Sequence, residues 1–151
     1  KIVRSIYFDK NRQANWKVPF HQDLTITVKN KIDVEGFGPW SLKSGIQHVQ
    51  PPLAIMEKMI SVRLHLDDTT EENGALSVIP GSHKLGKVAA SSIPRLRKAC
   101  QPQVCKLPKG GMMIMKPLIL HASSSSSSAH SRRVLHFEFC AEELPDGLEW
   151  F

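Results

Sequence analysis

A mainly β fold of the jelly-roll type, with few and short helices, is predicted by three observations on this 151-residue chain. Short stretches of alternating apolar and polar residues recur along it. Gly, Pro and Asn turns punctuate them. Helical periodicity is scarce. That pattern reads as a sandwich or barrel, and a double-stranded β-helix is the form that carries a pocket between its sheets. The length suits one domain spanning residues 1–151.

Composition narrows the function classes. The formal charge is +6, but the basic residues are scattered; the densest cluster is Arg95-Leu-Arg97-Lys98, and no recognition motif accompanies it. Solvated surface charge is the reading, and no nucleic-acid partner is expected. No apolar run approaches the roughly 18 residues of a membrane span. Cys100, Cys105 and Cys140 are few, odd in number and outside any C-x-x-C pattern. They argue against a disulfide scaffold or structural zinc and fit a reducing compartment, so a cytoplasmic location is expected.

The elements follow in order. Lys1–Phe8 alternates as a strand, without a signal-peptide pattern, and looks like the middle of a sheet; elements before it are expected to be missing. Asp9–Asn15 is a polar turn, and Trp16–Val28 is extended. Lys29–Gln50 is a long connection centred on Gly36-Phe-Gly-Pro-Trp40. Loops of that length in a compact domain are usually functional or disordered. Phe37 and Trp40 argue for an ordered lid, with capping of the core as the alternative. Leu53–Met59 suits a short helix. Ile60–Leu66 alternates, with Ile60, Val62, Leu64 and Leu66 on one face and Ser61, Arg63 and His65 on the other. Arg63 and His65 face either a polar cavity or water, with equal weight.

Asp67–Gly74 is a strong turn ending in Asn-Gly, Ala75–Ile79 a strand, and Pro80-Gly-Ser-His83 a tight turn whose histidine is structural or exposed. Lys87–Pro102 is irregular or helical, and Val104–Leu107 strand-like. The methionines of Met112–Met115 are read as core filler. The six-serine run Ser123–Ser128 is a flexible loop, Arg132–Cys140 the last strand, and the tail to Phe151 an apolar dock.

One tripeptide organises this frame. Side chains two apart on a strand point the same way, so His21 and Asp23 share a face. An imidazole beside a carboxylate is two thirds of the 2-His-1-carboxylate triad that holds non-haem Fe(II). His121, closing an apolar stretch before the serines, is the candidate for the third ligand. A random H-x-D is more often a polar edge pair, and its weight here comes from what lies downstream.

That downstream sequence resembles the phytanoyl-CoA dioxygenase family, and its loop around Gly36–Trp40 looks like the bacterial branch. The matching stretches are His21-Gln-Asp23, Leu66-Asp-Asp, Asn73-Gly-Ala-Leu-Ser-Val-Ile-Pro-Gly-Ser-His83, Pro117-Leu-Ile-Leu-His-Ala-Ser123 and Arg132-Arg-Val-Leu-His136, in the family's order. The resemblance implies a cupin-like jelly roll and an Fe(II)- and 2-oxoglutarate-dependent dioxygenase. Such an enzyme uses O2 to hydroxylate a small organic or acyl substrate and releases succinate and CO2. It implies iron on His21, Asp23 and His121, with Ser123 near the cosubstrate. A carboxylate at position 23 favours hydroxylation over halogenation.

The family also pairs an arginine after the distal histidine with the distal carboxylate of 2-oxoglutarate, a task that suits a planar guanidinium fork. Two stand here. Parity with Leu135, Phe137 and Phe139, taken as the inward face, turns Arg133 in and Arg132 out. The spacing from His121 slightly favours Arg132. Parity is followed, and Arg133 is the expected cosubstrate residue. The alternative function is a jelly-roll binding module that kept the fold without turnover.

Overall fold

The computed structural model describes residues 1–151. In chain order its strands are β1 (Ile2–Lys10), β2 (Val18–His21), β3 (Ile26–Val28), β4 (Trp40–Lys43), β5 (Ile46–Val49), β6 (Ile60–His65), β7 (Leu76–Val78), β8 (Gln103–Val104), β9 (Met112–Met115), β10 (His121–Ser123) and β11 (Arg132–Phe139). Two helices interrupt them, α1 (Leu53–Lys58) and α2 (Ile93–Ala99), the latter inside the basic excursion.

The strands form three sheets, ordered β1-β11-β6-β9, β2-β10-β7-β8 and β3-β5-β4. The two four-stranded sheets contribute opposite walls to one cavity, as in a jelly roll. Strand β1 pairs antiparallel with β11 along its whole length, so the first and last strands lie side by side. This strand runs on to Lys10, past the expected turn at Asp9, because Asp9 and Lys10 pair with Arg133 and Arg132.

The connection Lys29–Gln50 is not one long loop. It holds the hairpin β4–β5, closed by Ser44 and Gly45 with φ of 50° and 79°. Two positive φ values in a two-residue turn match the right-handed twist of the flanking strands. Phe37 and Trp40 pack against the apolar core and do not line the cavity between the sheets, so they cap the core; the lid expectation is corrected. The serine run is also tied down. Ser126 and Asn15 exchange backbone-to-side-chain hydrogen bonds of 2.6 and 2.8 Å, and the Ser127 amide donates to Glu72 O at 2.8 Å.

Apolar burial concentrates at one end. Ile26, Val28, Val49, Met56, Met59, Leu118, Leu148 and Trp150 form a single cluster under the small sheet, α1 and the C-terminal tail. Fully burying a side chain of this size is worth about 1.5–3 kcal/mol. The tail docks as expected, with the Trp150 indole N–H donating to Glu142 O at 3.0 Å, although Phe151 itself stays exposed.

The space between the large sheets is different. On β6 the buried residues are Ser61, Arg63 and His65, and on β11 they are Arg132, Val134, His136 and Glu138. Ile60, Val62, Leu64, Leu135, Phe137 and Phe139 face outward, exposed or half-buried. Strand alternation holds on both strands; on β6 the inward of the two open placements is observed for Arg63 and His65, and on β11 the premise that the apolar face points inward fails.

Candidate metal centre

His21 ends β2 and His121 opens β10, and the two are partners across the antiparallel pair. Their ring centroids are 4.3 Å apart. Asp23 lies just past the end of β2, with its amide donating to Pro117 O at 3.1 Å. Gln22 between them turns the other way and is buried. Its side-chain amide donates to Leu118 O and Gly86 O at 2.6 and 2.8 Å and accepts from the Val88 amide at 2.8 Å. These bonds fix the tripeptide so that both flanking side chains meet His121. The Pro-Gly-Ser-His turn supports the opposite side: Ser82 Oγ accepts from the Leu120 amide at 2.8 Å.

The ligand atoms of His21, Asp23 and His121 all lie within 4.8 Å of one another. His21 Nε2 is 3.5 Å from Asp23 Oδ1, and His121 Nε2 is 3.6 Å from Oδ2. Both Nδ1 atoms are occupied elsewhere, donating to Pro19 O and Ile119 O at 2.9 Å each. A backbone carbonyl on Nδ1–H fixes the tautomer and leaves the Nε2 lone pair free. Two such lone pairs converge on one carboxylate. The residues therefore fit a divalent metal on one face with further positions open, the donor set suited to non-haem Fe(II).

The electrostatics favour an ionised Asp23. Burial pushes its carboxyl upward, but the facing His21 and His121 imidazoles outweigh it and hold it at about 2. The Asp23 carboxylate in turn raises His21 toward its protonated form, so metal binding at this ring displaces a proton. Burial lowers His121, keeping it in the neutral form that binds metal.

The cavity around this triad measures about 300 Å³. Arg132 is on its wall, 2% exposed, with Nε and Nη1 lacking any hydrogen-bond partner. Arg133 points out of the molecule, against expectation. Its Nε and Nη2 donate to the two Asp67 carboxylate oxygens at 2.8 and 2.7 Å, and its amide to Oδ2 at 2.9 Å. The inner face of β11 is polar, so Arg132 turns in with His136 and Glu138, and Arg133 turns out with Leu135 and Phe137. Spacing from His121 pointed to the side chain that does enter the cavity.

Ser123 is buried on the same wall, donating to Gly74 O at 2.9 Å and accepting from Lys10 Nζ at 2.8 Å. Gly74 has φ +78°, and a Cβ there would meet Ser124 O at 2.5 Å and Lys10 Nζ at 3.0 Å. The Asn-Gly turn is thus needed for close approach as well as for its backbone shape. Lys10 is fully buried, and burial together with Arg132 lowers it to about 8.

Arg63 lines the cavity too, so that of its two open placements the inward one is observed. It donates to His136 Nδ1 at 3.0 Å; His136 Nε2 meets Glu138 Oε1 at 3.4 Å, and Arg4 donates to that oxygen at 3.3 Å. His65 is buried but does not line the cavity, and shares a 2.5 Å hydrogen bond between Nδ1 and Thr69 Oγ1. Lys10, Arg4, His136 and Glu138 escaped the sequence reading. The signal for the last two was present: Arg132, His136 and Glu138 recur with period two, which marks a polar face but not which side it takes.

No curated protein sequence gives a significant match. Solved structures do match in fold. AviO1 from Streptomyces viridochromogenes Tue57 aligns over 97% of this chain and 53% of its own, at 18% identity and TM-score 0.65. EctD from S. alaskensis, solved with 2-oxoglutarate and 5-hydroxyectoine, aligns over 91% and 43%, at 18% identity and TM-score 0.64. SnoN, a non-haem alpha-ketoglutarate-dependent epimerase from nogalamycin biosynthesis, aligns over 91% and 46%, at 13% identity and TM-score 0.64. The chain spans about half the length of these proteins. The family model for phytanoyl-CoA dioxygenase (PhyH) matches residues 1–134, and this chain belongs to that family.

Proposed function

We propose that the chain carries the core of an Fe(II)- and 2-oxoglutarate-dependent dioxygenase that hydroxylates a small organic substrate with release of succinate and CO2. One observation carries the reading: two Nε2 lone pairs and a carboxylate converge in a cavity that also holds a buried guanidinium with free donors. His21, Asp23 and His121 would hold the iron, and Arg132 with Ser123 the distal carboxylate of 2-oxoglutarate. The bound iron and cosubstrate supply the oxidising power for attack on an unactivated C–H bond.

The residues of the chain bind and orient. Asp23 stays ionised and offers its charge to a cation. The backbone carbonyls of Pro19 and Ile119 hold both rings in the ligating tautomer. Arg132 offers two free donors of its fork to a planar carboxylate. Lys10 steadies Ser123 from behind. The fold relatives solved with 2-oxoglutarate or described as dependent on it support the cosubstrate assignment. Three free cysteines are in keeping with a reducing compartment such as the cytoplasm. No helix is long and apolar enough to cross a membrane.

The test is anaerobic titration with Fe(II) and then 2-oxoglutarate, following the weak visible band of the chelate. The reading requires the band in the wild type and its loss in Asp23→Ala. Iron binding without the band would favour the binding-module alternative.

A further inference from the structure

Resting on that reading, we infer that the substrate presents a carboxylate to this cavity and that Arg63 is the residue that receives it. Three guanidiniums line the cavity, on Arg4, Arg63 and Arg132, against two carboxylates, on Asp23 and Glu138. A divalent metal and the dianionic cosubstrate cancel each other in charge, so one cation stays unmatched after both have bound. The partners identify it. Glu138 is taken by Arg4 at 3.3 Å. Asp23 serves the metal. Arg132 serves the cosubstrate. Of the guanidiniums that line the cavity, only Arg63 is left without an anion; Lys10, behind the wall, is held by Ser123 Oγ and Ser124 O.

Its surroundings bear this out. Arg63 is 6% exposed, its Nε has no partner, and its guanidinium carbon lies 5.2 Å from the Phe8 ring centroid. Its one hydrogen-bond partner is His136 Nδ1, a neutral acceptor. The 3.4 Å contact from His136 Nε2 to Glu138 accounts for the imidazole proton on the far side, so His136 orients Arg63 without neutralising it. An unpaired buried charge is costly. A site that meets an anionic ligand repays that cost when the ligand arrives. A cavity of about 300 Å³ is at the small end of ligand sites, which suits a short-chain acid.

The experiment loads the full chain with Fe(II) and 2-oxoglutarate without O2. It then titrates butanoate and hexanoate against butanamide and hexanamide, by calorimetry and by the shift of the chelate band. The acids are expected to bind at least about tenfold more tightly than the amides, a difference of about 1.4 kcal/mol. Arg63→Gln should erase that preference while leaving 2-oxoglutarate affinity within about threefold, and Arg63→Lys, which keeps the charge but loses the planar fork, should retain only part of the preference. Equal binding of acid and amide in the wild type, or no binding of either, overturns the inference. So does a loss of 2-oxoglutarate affinity in Arg63→Gln comparable to that in Arg132→Ala, since Arg63 would then serve the cosubstrate. Failure of the chelate band in the wild type instead sinks the oxygenase reading itself.

Discussion

Two interiors coexist in this small protein. Under the sheet β3-β5-β4 lies a dry cluster of aliphatic side chains and Trp150. Between the two larger sheets lies a chamber in which His, Asp, Glu and Arg side chains meet Ile6, Phe8, Trp16, Val18 and Leu76. Both lie under β-strands. The first stabilises the fold by removing apolar surface from water. The second works against stability, because buried charges and unpaired donors cost free energy that only a ligand returns. The difference separates residues that make the fold from residues that wait for chemistry.

Substitutions on either side sharpen this contrast. In the chamber, His121→Ala should abolish iron-dependent turnover while the protein stays folded; a variant that keeps iron-dependent turnover would remove His121 from the ligand set. In the core, Trp150→Ala should cost about 3–5 kcal/mol of unfolding free energy, as large-to-small changes of buried aromatics do. Urea denaturation reads that loss, and the folded fraction should keep its iron site.

The next effect separates the two arginines. Loss of a charged hydrogen-bond pair costs about 1.5–3 kcal/mol, so Arg132→Ala should raise the 2-oxoglutarate requirement by roughly 10- to 100-fold. Arg133→Ala, at the surface, should change it little. Comparable effects from the two would contradict the assignment by burial.

A pH experiment probes the edge of the chamber. Burial first, then the charges of Arg63 and Arg132, hold His65 at about 4 against its ordinary 6.5. Between those values the unfolded chain binds a proton that the folded chain refuses. The contribution of His65 is therefore fully present above pH 6.5 and is lost as pH falls toward 4, by roughly 3 kcal/mol. Urea midpoints at pH 7 and pH 4.5 should fall further apart in the wild type than in His65→Gln. The smallest effect belongs to the outer face of the large sheet, where Ile114 is 67% exposed. Ile114→Lys should shift stability by no more than about 0.5 kcal/mol.

Much of this was readable from the chain. Alternation and turn residues predict the strands, and the structure bears out the jelly roll and the short helix at Leu53. H-x-D on an extended segment places His21 and Asp23 on one side because a strand repeats every two residues, and the family's motifs bring in His121. The Asn-Gly and Pro-Gly-Ser-His turns are legible as turns. Their further roles, clearance for Lys10 and a hydrogen bond behind Leu120, are contacts between segments far apart in sequence.

Period two says which residues share a face, and it is silent on which face is inside. Hydrophobicity usually settles that, because apolar faces turn inward. On β6 and β11 it misleads: the strands wall a polar chamber, so Arg63, His65, Arg132, His136 and Glu138 turn inward and Leu135, Phe137 and Phe139 do not. That inversion depends on what the opposite sheet presents, and His21, Asp23 and His121 reach that position only when β2 and β10 pair. Local sequence determined the strands, the turns and the shared faces. The tertiary structure decided which face became the chamber, and with it which arginine entered the site.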